Sequence, residues 1–389
     1  MTLRPACQRW RALRHALDPL ALPLGLLGLG AAVACNWRRW QQDRELLAYI
    51  QEPPPRLPLW RWPALPRVSV LVAAWNEADF IERHIESFLA LRYPHKELVL
   101  CAGGRDGTLA LARRYEGPQV KVLPQRPGEG KQRALARSFP YTQGEIIFLS
   151  DADCLLDDDA FERTLYPVAT GREQVCTGGS RPLRTQLANP FVLSQAATQL
   201  YSSAHAPSCA AGLLGCNCAV ARSLLARSGA LAAEVATGTD YVTAKMLAAA
   251  GARIRHVPHS RVPTNYPATI ACYLRQQRRW LRNVALHGRR FGANAELLAS
   301  LHTSAVGLAM LVGPLAALFL GPAVVAAWFG LLAFAFLSRL RYLRFAQELL
   351  GVTPARRQAL AQLWLLFLDF VAWVQPLPDY LVRAGREEW

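Results

Sequence analysis

Residues Glu145-Ile-Ile-Phe-Leu-Ser-Asp-Ala-Asp153 form a short apolar run that ends in two carboxylates. The run is the length of a buried strand. Asp151 and Asp153, two residues apart at its carboxyl end, repel each other unless a cation lies between or beside them. Hard oxygen ligands suit Mg²⁺ or Mn²⁺, and such ions are commonly held by one or two carboxylates plus substrate phosphates. A capping cluster is the competing explanation, with Asp157, Asp158 and Asp159 close by.

Three similar strands precede this one: Val68–Val72, Glu97–Cys101 and Val120–Leu123. Helical stretches separate them, at about Glu77–Leu91, from the Gly103-Gly104 turn through Tyr115, and at Gly130–Arg137. Strands alternating with helices predict an α/β fold, a mostly parallel sheet covered on both faces. Ligands of such sheets bind beyond the carboxyl ends of the strands. After Ser260 the pattern reads as helical.

Other chemistry-bearing residues fall at those strand ends. Asn76-Glu77 follows the first strand and can reach a nucleotide or cap the next helix. Pro127-Gly-Glu-Gly-Lys131 lacks the first Gly and final Ser/Thr of a Walker A loop, but Lys131 and Arg133 can help to hold a diphosphate. Gly238-Thr239-Asp240 precedes a helix over Tyr241–Ala250. Asp240 is either a general base or that helix's cap. Gln276, Arg279 and Trp280 recur at spacings of three and four and share one helical face, suited to phosphate and sugar or to a juxtamembrane surface.

The chain has 389 residues, 52% of them hydrophobic, with a net charge of +16. Much of the apolar content lies near the two ends. Residues 1–50 read as a membrane anchor, the uncharged run Pro19–Trp37 flanked by Arg4, Arg9, Arg11 and Arg14 and then by Arg38, Arg39 and Arg44. Residues 51–66 are a Pro- and Trp-rich linker, with Trp60 and Trp62 suited to the headgroup level. Residues 67–290 form the α/β domain. Residues 291–389 form a C-terminal membrane region: two spans within Leu297–Ser338, broken at Gly321-Pro322, and a third spanning or interfacial run, Ala359–Val374. The arginines cluster beside the apolar segments, which favours membrane lipids and phosphorylated substrates over nucleic acid. Nine cysteines without a C-x-x-C pair fit a reducing compartment. Cys35, Cys101, Cys154 and Cys176 read as small buried hydrophobes, and His256 and His259 as structural.

Taken in order, these motifs resemble the glycosyltransferase family 2 enzymes, in the membrane subset with the D, D-x-D, D, Q-x-x-R-W signature. The resemblance covers roughly Val68 to Arg290. It implies a GT-A fold with transmembrane helices at both ends, a cytosolic active site at the plasma (inner) membrane, and an inverting transfer. The donor would be a UDP- or GDP-type nucleotide sugar, and the acceptor a lipid or glycan. By the resemblance, Asn76, Glu77, Asp106, Asp151 and Arg279 bind the donor, with Lys131 added from its own loop, and Asp153 with Asp151 holds the metal. Asp240 is the catalytic base, with Gly-Thr-Asp standing for Thr-Glu-Asp. Gln276, Trp280, Gly215 and Asn217 lie on the acceptor or product side, the last two where the family has a Gly-rich strand. One departure is plain: after strand two the family has Asp-Asp-Gly, one Asp of which contacts the base, and this chain has Cys101-Ala102-Gly103. The chain is also similar to ceramide glucosyltransferases. A processive polysaccharide synthase and a catalytically decayed membrane protein are the alternatives.

Overall fold

The computed structural model describes residues 18–235 and 237–378. Arg4, Arg9, Arg11 and Arg14 lie outside the described residues. The chain divides into two compact units. One comprises Glu52–Ala188 and Ser202–Pro267. The other comprises 18–51, Asn189–Tyr201 and 268–378.

In chain order the helices are α1 (Ala21–Gln51), α2 (Ala78–Leu89), α3 (Thr108–Arg113), α4 (Gly130–Ser138), α5 (Asp158–Ala169), α6 (Pro190–Ala204), α7 (Arg222–Ser228), α8 (Thr239–Ala249), α9 (Ile270–His287), α10 (Asn294–Leu320), α11 (Pro322–Leu350) and α12 (Arg356–Val374). The strands are β1 (Val68–Trp75), β2 (Lys96–Gly103), β3 (Val120–Pro124), β4 (Ile146–Asp151), β5 (Val175–Pro182), β6 (Cys209–Ala210), β7 (Cys218–Ala221) and β8 (Ile254–Thr264).

All eight strands join one sheet in the order β3-β2-β1-β4-β7-β5-β8-β6. β3, β2, β1 and β4 are mutually parallel, as the alternation with helices predicts. β7 runs antiparallel to β4 and β5, and β6 antiparallel to β8. The second half of the sheet is thus mixed, and the local hydropathy pattern does not mark it. One expectation is corrected here. The chain does not become helical after Ser260: β8 continues to Thr264, and its Gly179-side register with β5 holds Arg261, Val262 and Pro263 in the sheet. The next helix begins at Ile270.

Strand alternation sorts the core. Val70, Val72 and Ala74 face Ile81, Ile85 and Phe88 of α2 and Phe161 and Leu165 of α5. Leu71, Val99 and Ile147 face the other way, onto Leu135 of α4, Leu224 of α7 and Leu247 of α8. Period-2 side-chain direction buries both faces, which is why these strands are almost uniformly apolar. Trp62 belongs to this core rather than to a membrane interface. It is 8% exposed, its ring packs edge-on against Tyr166, and its indole N–H donates to the Leu57 carbonyl. Its neighbour Trp60 is 76% exposed.

Among the described residues, three helices of the helical unit are long and apolar enough to cross a membrane: Asn294–Leu315 within α10, then α11 and α12. Gly321, at φ +96, separates α10 from α11, and Pro322 opens the latter, where its missing N–H leaves no bond unmade. α1 packs along α11, with Gly28 against the backbone of Gly330. Two ion pairs are buried between helices: Asp43 of α1 with Arg341, and Asp369 of α12 with Arg339. Tyr201 of α6 joins the first pair and Tyr273 of α9 the second. Cys35, expected to be buried, is exposed. The helical period turns Ala32, Asn36 and Trp40 inward and leaves Cys35 facing out. Cys101, Cys154 and Cys176 are buried as expected.

Candidate functional site

The parallel strands β2 and β4 lie on opposite sides of β1, so the connections reverse direction at the β1–β4 junction. That reversal opens a crevice at the strands' carboxyl ends, where α/β sheets bind ligands. Ala73 of β1 is in register with Asp151 of β4, so Asn76-Glu77 and Asp151-Ala-Asp153 emerge side by side.

β1 ends because Asn76 turns left-handed, with φ +58, the one positive φ among described residues other than glycine. Asn tolerates this region better than most residues. Its N–H donates to the Gly103 carbonyl (3.1 Å), and its Oδ1 accepts from the Arg105 N–H (2.8 Å). Asn76 is therefore a clasp between the β1 and β2 turns and does not cap α2. The cap of α2 comes from across the turn. Thr108 Oγ1 accepts from the Glu77 N–H (2.8 Å), and Asp106 Oδ2 accepts from the Ala78 N–H (2.9 Å). Asp106 Oδ1 accepts from both the N–H and the hydroxyl of Thr108. Slight burial works against it, but these hydrogen bonds hold its carboxyl below the usual range. Both Asp106 oxygens thus cap helices, while its side chain stays exposed at the end of the sheet.

The carboxylates of β4 are not caps. Asp157 caps α5, accepting from the Ala160 N–H at 2.8 Å, which leaves Asp151 and Asp153 for other work. Burial, then the charge of Asp151, pushes Asp153 up to about 6. Burial, then Asp153 and Asp151, pushes Glu77 up to about 7. The crevice holds more negative charge than its own residues neutralise. Lys131, on the first turn of α4, is the cation within it: its Nζ lies 2.6 Å from Asp151 Oδ1 and 3.3 Å from Asp240 Oδ1. Burial pulls this ammonium's pKa down, but Asp151 and Asp240 outweigh it and hold it well above the ordinary value. Glu129, just before it, pairs with Arg137 of the same helix (2.6 Å), and Arg133 pairs with Glu234 (3.3 Å).

Asp240 lies in the first turn of α8, and the N-cap there is Gly238, at φ +80 with no side-chain cap. Its carboxylate instead accepts from Lys131 and from the Gly215 N–H (Oδ2, 3.3 Å). Gly215 lies in the turn before β7, and a Cβ there would stand 2.5 Å from Asp240 Cγ. Asn217 is fully buried and points the other way, into the core. Its amide donates to the Gly179 carbonyl (3.0 Å) and to Ser260 Oγ (2.9 Å), and its Oδ1 accepts from Thr164. That is a structural role in place of the acceptor-side role expected of it.

Gln276, Arg279 and Trp280 are carried by α9, in the helical unit. Arg279 is exposed and Trp280 is 39% exposed. Three residues, Thr108, Trp75 and Gln125, escape a motif-based reading. Thr108 supplies a cap. Trp75 packs its ring over Gly103, where a Cβ would lie 2.8 Å from the ring and 2.7 Å from the Gln125 carbonyl. Gln125, at the end of β3, is 8% exposed. Gly104, at φ +123, admits no Cβ because Asn76 N would be 2.7 Å away. The Gly103-Gly104 pair is the local signal that backbones approach closely here.

Among the described residues no three potential ligands gather into a complete protein metal site. Asp151 and Asp153 offer two carboxylates in an over-negative crevice. That donor set fits a hard divalent ion whose remaining ligands are phosphate oxygens and water.

The family model described as "Glycosyltransferase like family 2" matches residues 66–283. Poly-beta-1,6-N-acetyl-D-glucosamine synthase of Staphylococcus epidermidis is 30% identical over 95 residues, 24% of this chain and 23% of that protein. Beta-monoglucosyldiacylglycerol synthase of Synechocystis is 31% identical over 134 residues, 33% of this chain and 27% of that protein. The matches span about a quarter of the length of these relatives. Among solved structures, a mannosyltransferase of Pyrobaculum calidifontis in complex with GDP-Man and Mn²⁺ covers 94% of this chain and 99% of its own. Its TM-score is 0.51 at 20% identity, a likeness of fold.

Proposed function

The chain belongs to the glycosyltransferase like family 2, and on that premise we propose that it is an inverting, membrane-bound transferase. It moves a sugar from a UDP- or GDP-type donor to a lipid or lipid-linked acceptor. The observation that carries this reading is the seating of Asp240. Its carboxylate is held by the Gly215 N–H and bridged through Lys131 to the D-x-D residue Asp151. A base and a diphosphate-side group thus stand on either side of one ammonium.

In the reaction, Asp240 Oδ1 takes the proton of the acceptor hydroxyl as its oxygen forms a bond to the anomeric carbon. The bond from that carbon to the diphosphate oxygen breaks, and the electron pair leaves with the nucleoside diphosphate. The proton passes from Asp240 to solvent. Lys131 offers a donor to the departing diphosphate. Gly215 fixes the direction of the base. Asp151 and Asp153 would hold Mg²⁺ or Mn²⁺, which supplies charge to offset the leaving group. The three apolar helices support a membrane-borne acceptor. A catalytic unit on the cytosolic face of the plasma membrane is part of the same proposal, as is membership of 18–51 in the membrane region.

The test is a panel of UDP- and GDP-sugars incubated with membranes containing the protein, with and without Mn²⁺ or Mg²⁺, read by nucleoside diphosphate release. Asp240→Asn should lower kcat by about 10²–10⁴-fold; full turnover in that variant would remove the base. A chloroform-soluble product supports single transfer to lipid, and a long water-soluble polymer replaces it with processive synthesis.

A further inference from the structure

Asp151 and Asp240 serve different ends of the proposed reaction, yet one ammonium joins them. Lys131 Nζ is 2.6 Å from Asp151 Oδ1 and 3.3 Å from Asp240 Oδ1. The second Asp240 oxygen accepts the Gly215 N–H. Both oxygens of the base therefore already accept a hydrogen bond, and the ammonium on Oδ1 draws charge from the oxygen that must take the acceptor's proton. The Gly215 N–H is backbone, fixed by its turn. Lys131 ends a flexible four-carbon stem and can move. The side chains of Lys131, Asp151 and Asp240 are 31%, 33% and 36% exposed, so ligands reach them. An ammonium has three donors, two of which are used here. The longer contact, to Asp240, is the weaker and yields first.

We propose that Lys131 is a positioning residue that makes the base available only when a donor is seated. Without a diphosphate it occupies Asp240. When a diphosphate arrives, the ammonium turns to a phosphate oxygen and leaves Asp240 Oδ1 open to the acceptor hydroxyl. This rests on the reading that a nucleoside diphosphate group binds at this sheet edge. A diphosphate carries more negative charge than one carboxylate, so it competes well for the ammonium. No covalent bond changes in this step; one hydrogen-bond donor changes partner.

If Asp240 and a diphosphate compete for Lys131, removing the charge of Asp240 must tighten diphosphate binding. The measurement is calorimetric titration of UDP and of GDP, each with Mn²⁺, into the full chain. It is made for wild type, Asp240→Asn, Lys131→Met and the double variant. Asp240→Asn should bind the nucleotide about 2- to 5-fold more tightly, the scale of a part-exposed ion pair. The gain should vanish in the Lys131→Met background and persist with Lys131→Arg. Unchanged or weaker binding by Asp240→Asn overturns the proposal, as does a gain that survives without Lys131. If Lys131→Met does not fold, Lys131→Gln closes the same cycle. Turnover is a separate readout. Full activity of Asp240→Asn sinks the base assignment, while the affinity cycle still judges the competition. A wild type that binds neither nucleotide overturns both readings.

Discussion

A side chain at Gly215 would displace the Asp240 carboxylate that lies against it. A Cβ at Gly215 would stand 2.5 Å from Asp240 Cγ and 2.7 Å from Oδ2, the oxygen that accepts the Gly215 N–H. The glycine does two things at once: it makes room for the carboxylate and aims it.

Gly215→Ala should therefore act on the base without touching the donor. Steady-state kinetics should show kcat lowered by about 10²-fold, within the range of general-base assistance, with donor KM no higher than that of the wild type. Combined with Asp240→Asn it should add little, since both changes disable one group. A fully active Gly215→Ala would show that Asp240 is not needed where it lies.

Asp153→Ala should remove the response to metal along with activity. Chelator should inactivate the wild type, and Mn²⁺ or Mg²⁺ should restore it. Calorimetry should show nucleotide affinity rising with Mn²⁺ in the wild type and flat in the variant. An Asp153→Ala protein that still gains affinity from Mn²⁺ would move the metal elsewhere.

The turn clasp predicts a stability effect. Gly104 has φ +123, and a Cβ there would lie 2.7 Å from the Asn76 N and 3.0 Å from its Cγ. Gly104→Ala should cost about 1–3 kcal/mol from backbone strain alone, with a further loss as the Asn76–Arg105 bond breaks. Thermal melting in detergent would register this. A variant that melts with the wild type would mean the turn relaxes freely.

In the helical unit, Asp43→Asn would leave Arg341 buried without its carboxylate. Breaking one partner of a buried pair costs about 3–5 kcal/mol, whereas replacing both with apolar residues is near neutral. Asp43→Asn should thus lower the melting temperature sharply, and Asp43→Leu with Arg341→Met should recover most of it. Equal stability of the single variant and the wild type would show that the pair is solvated.

The order of elements was legible because it is local. Val68–Trp75, Lys96–Gly103, Val120–Pro124 and Ile146–Asp151 are apolar runs of strand length, and the helices between them carry the longer period. Cys218–Ala221 and Ile254–Thr264 were not legible. The first is four residues long, and the second carries Arg255, His256, His259 and Arg261, so neither reads as a buried run. Their strand state comes from partners distant in sequence, β4 and β5.

The candidate site divides in the same way. By itself the sequence determined which chemical groups end two strands, Asn76-Glu77 and Asp151-Ala-Asp153, and which opens a helix, Asp240, with long apolar runs far downstream. Side-chain chemistry and hydrophobic period are written residue by residue, so they survive without a structure. Only the tertiary structure decided what each group is doing. It turned Asp106 and Thr108 into the cap of α2, sent the Asn217 amide into the core, and moved the capping role from the D-x-D to Asp157. It also set Lys131 between Asp151 and Asp240, residues 20 and 109 positions away from it. A hydrogen bond acts over about 3 Å whatever the separation along the chain, and that distance exists only once the sheet has brought the strand ends together.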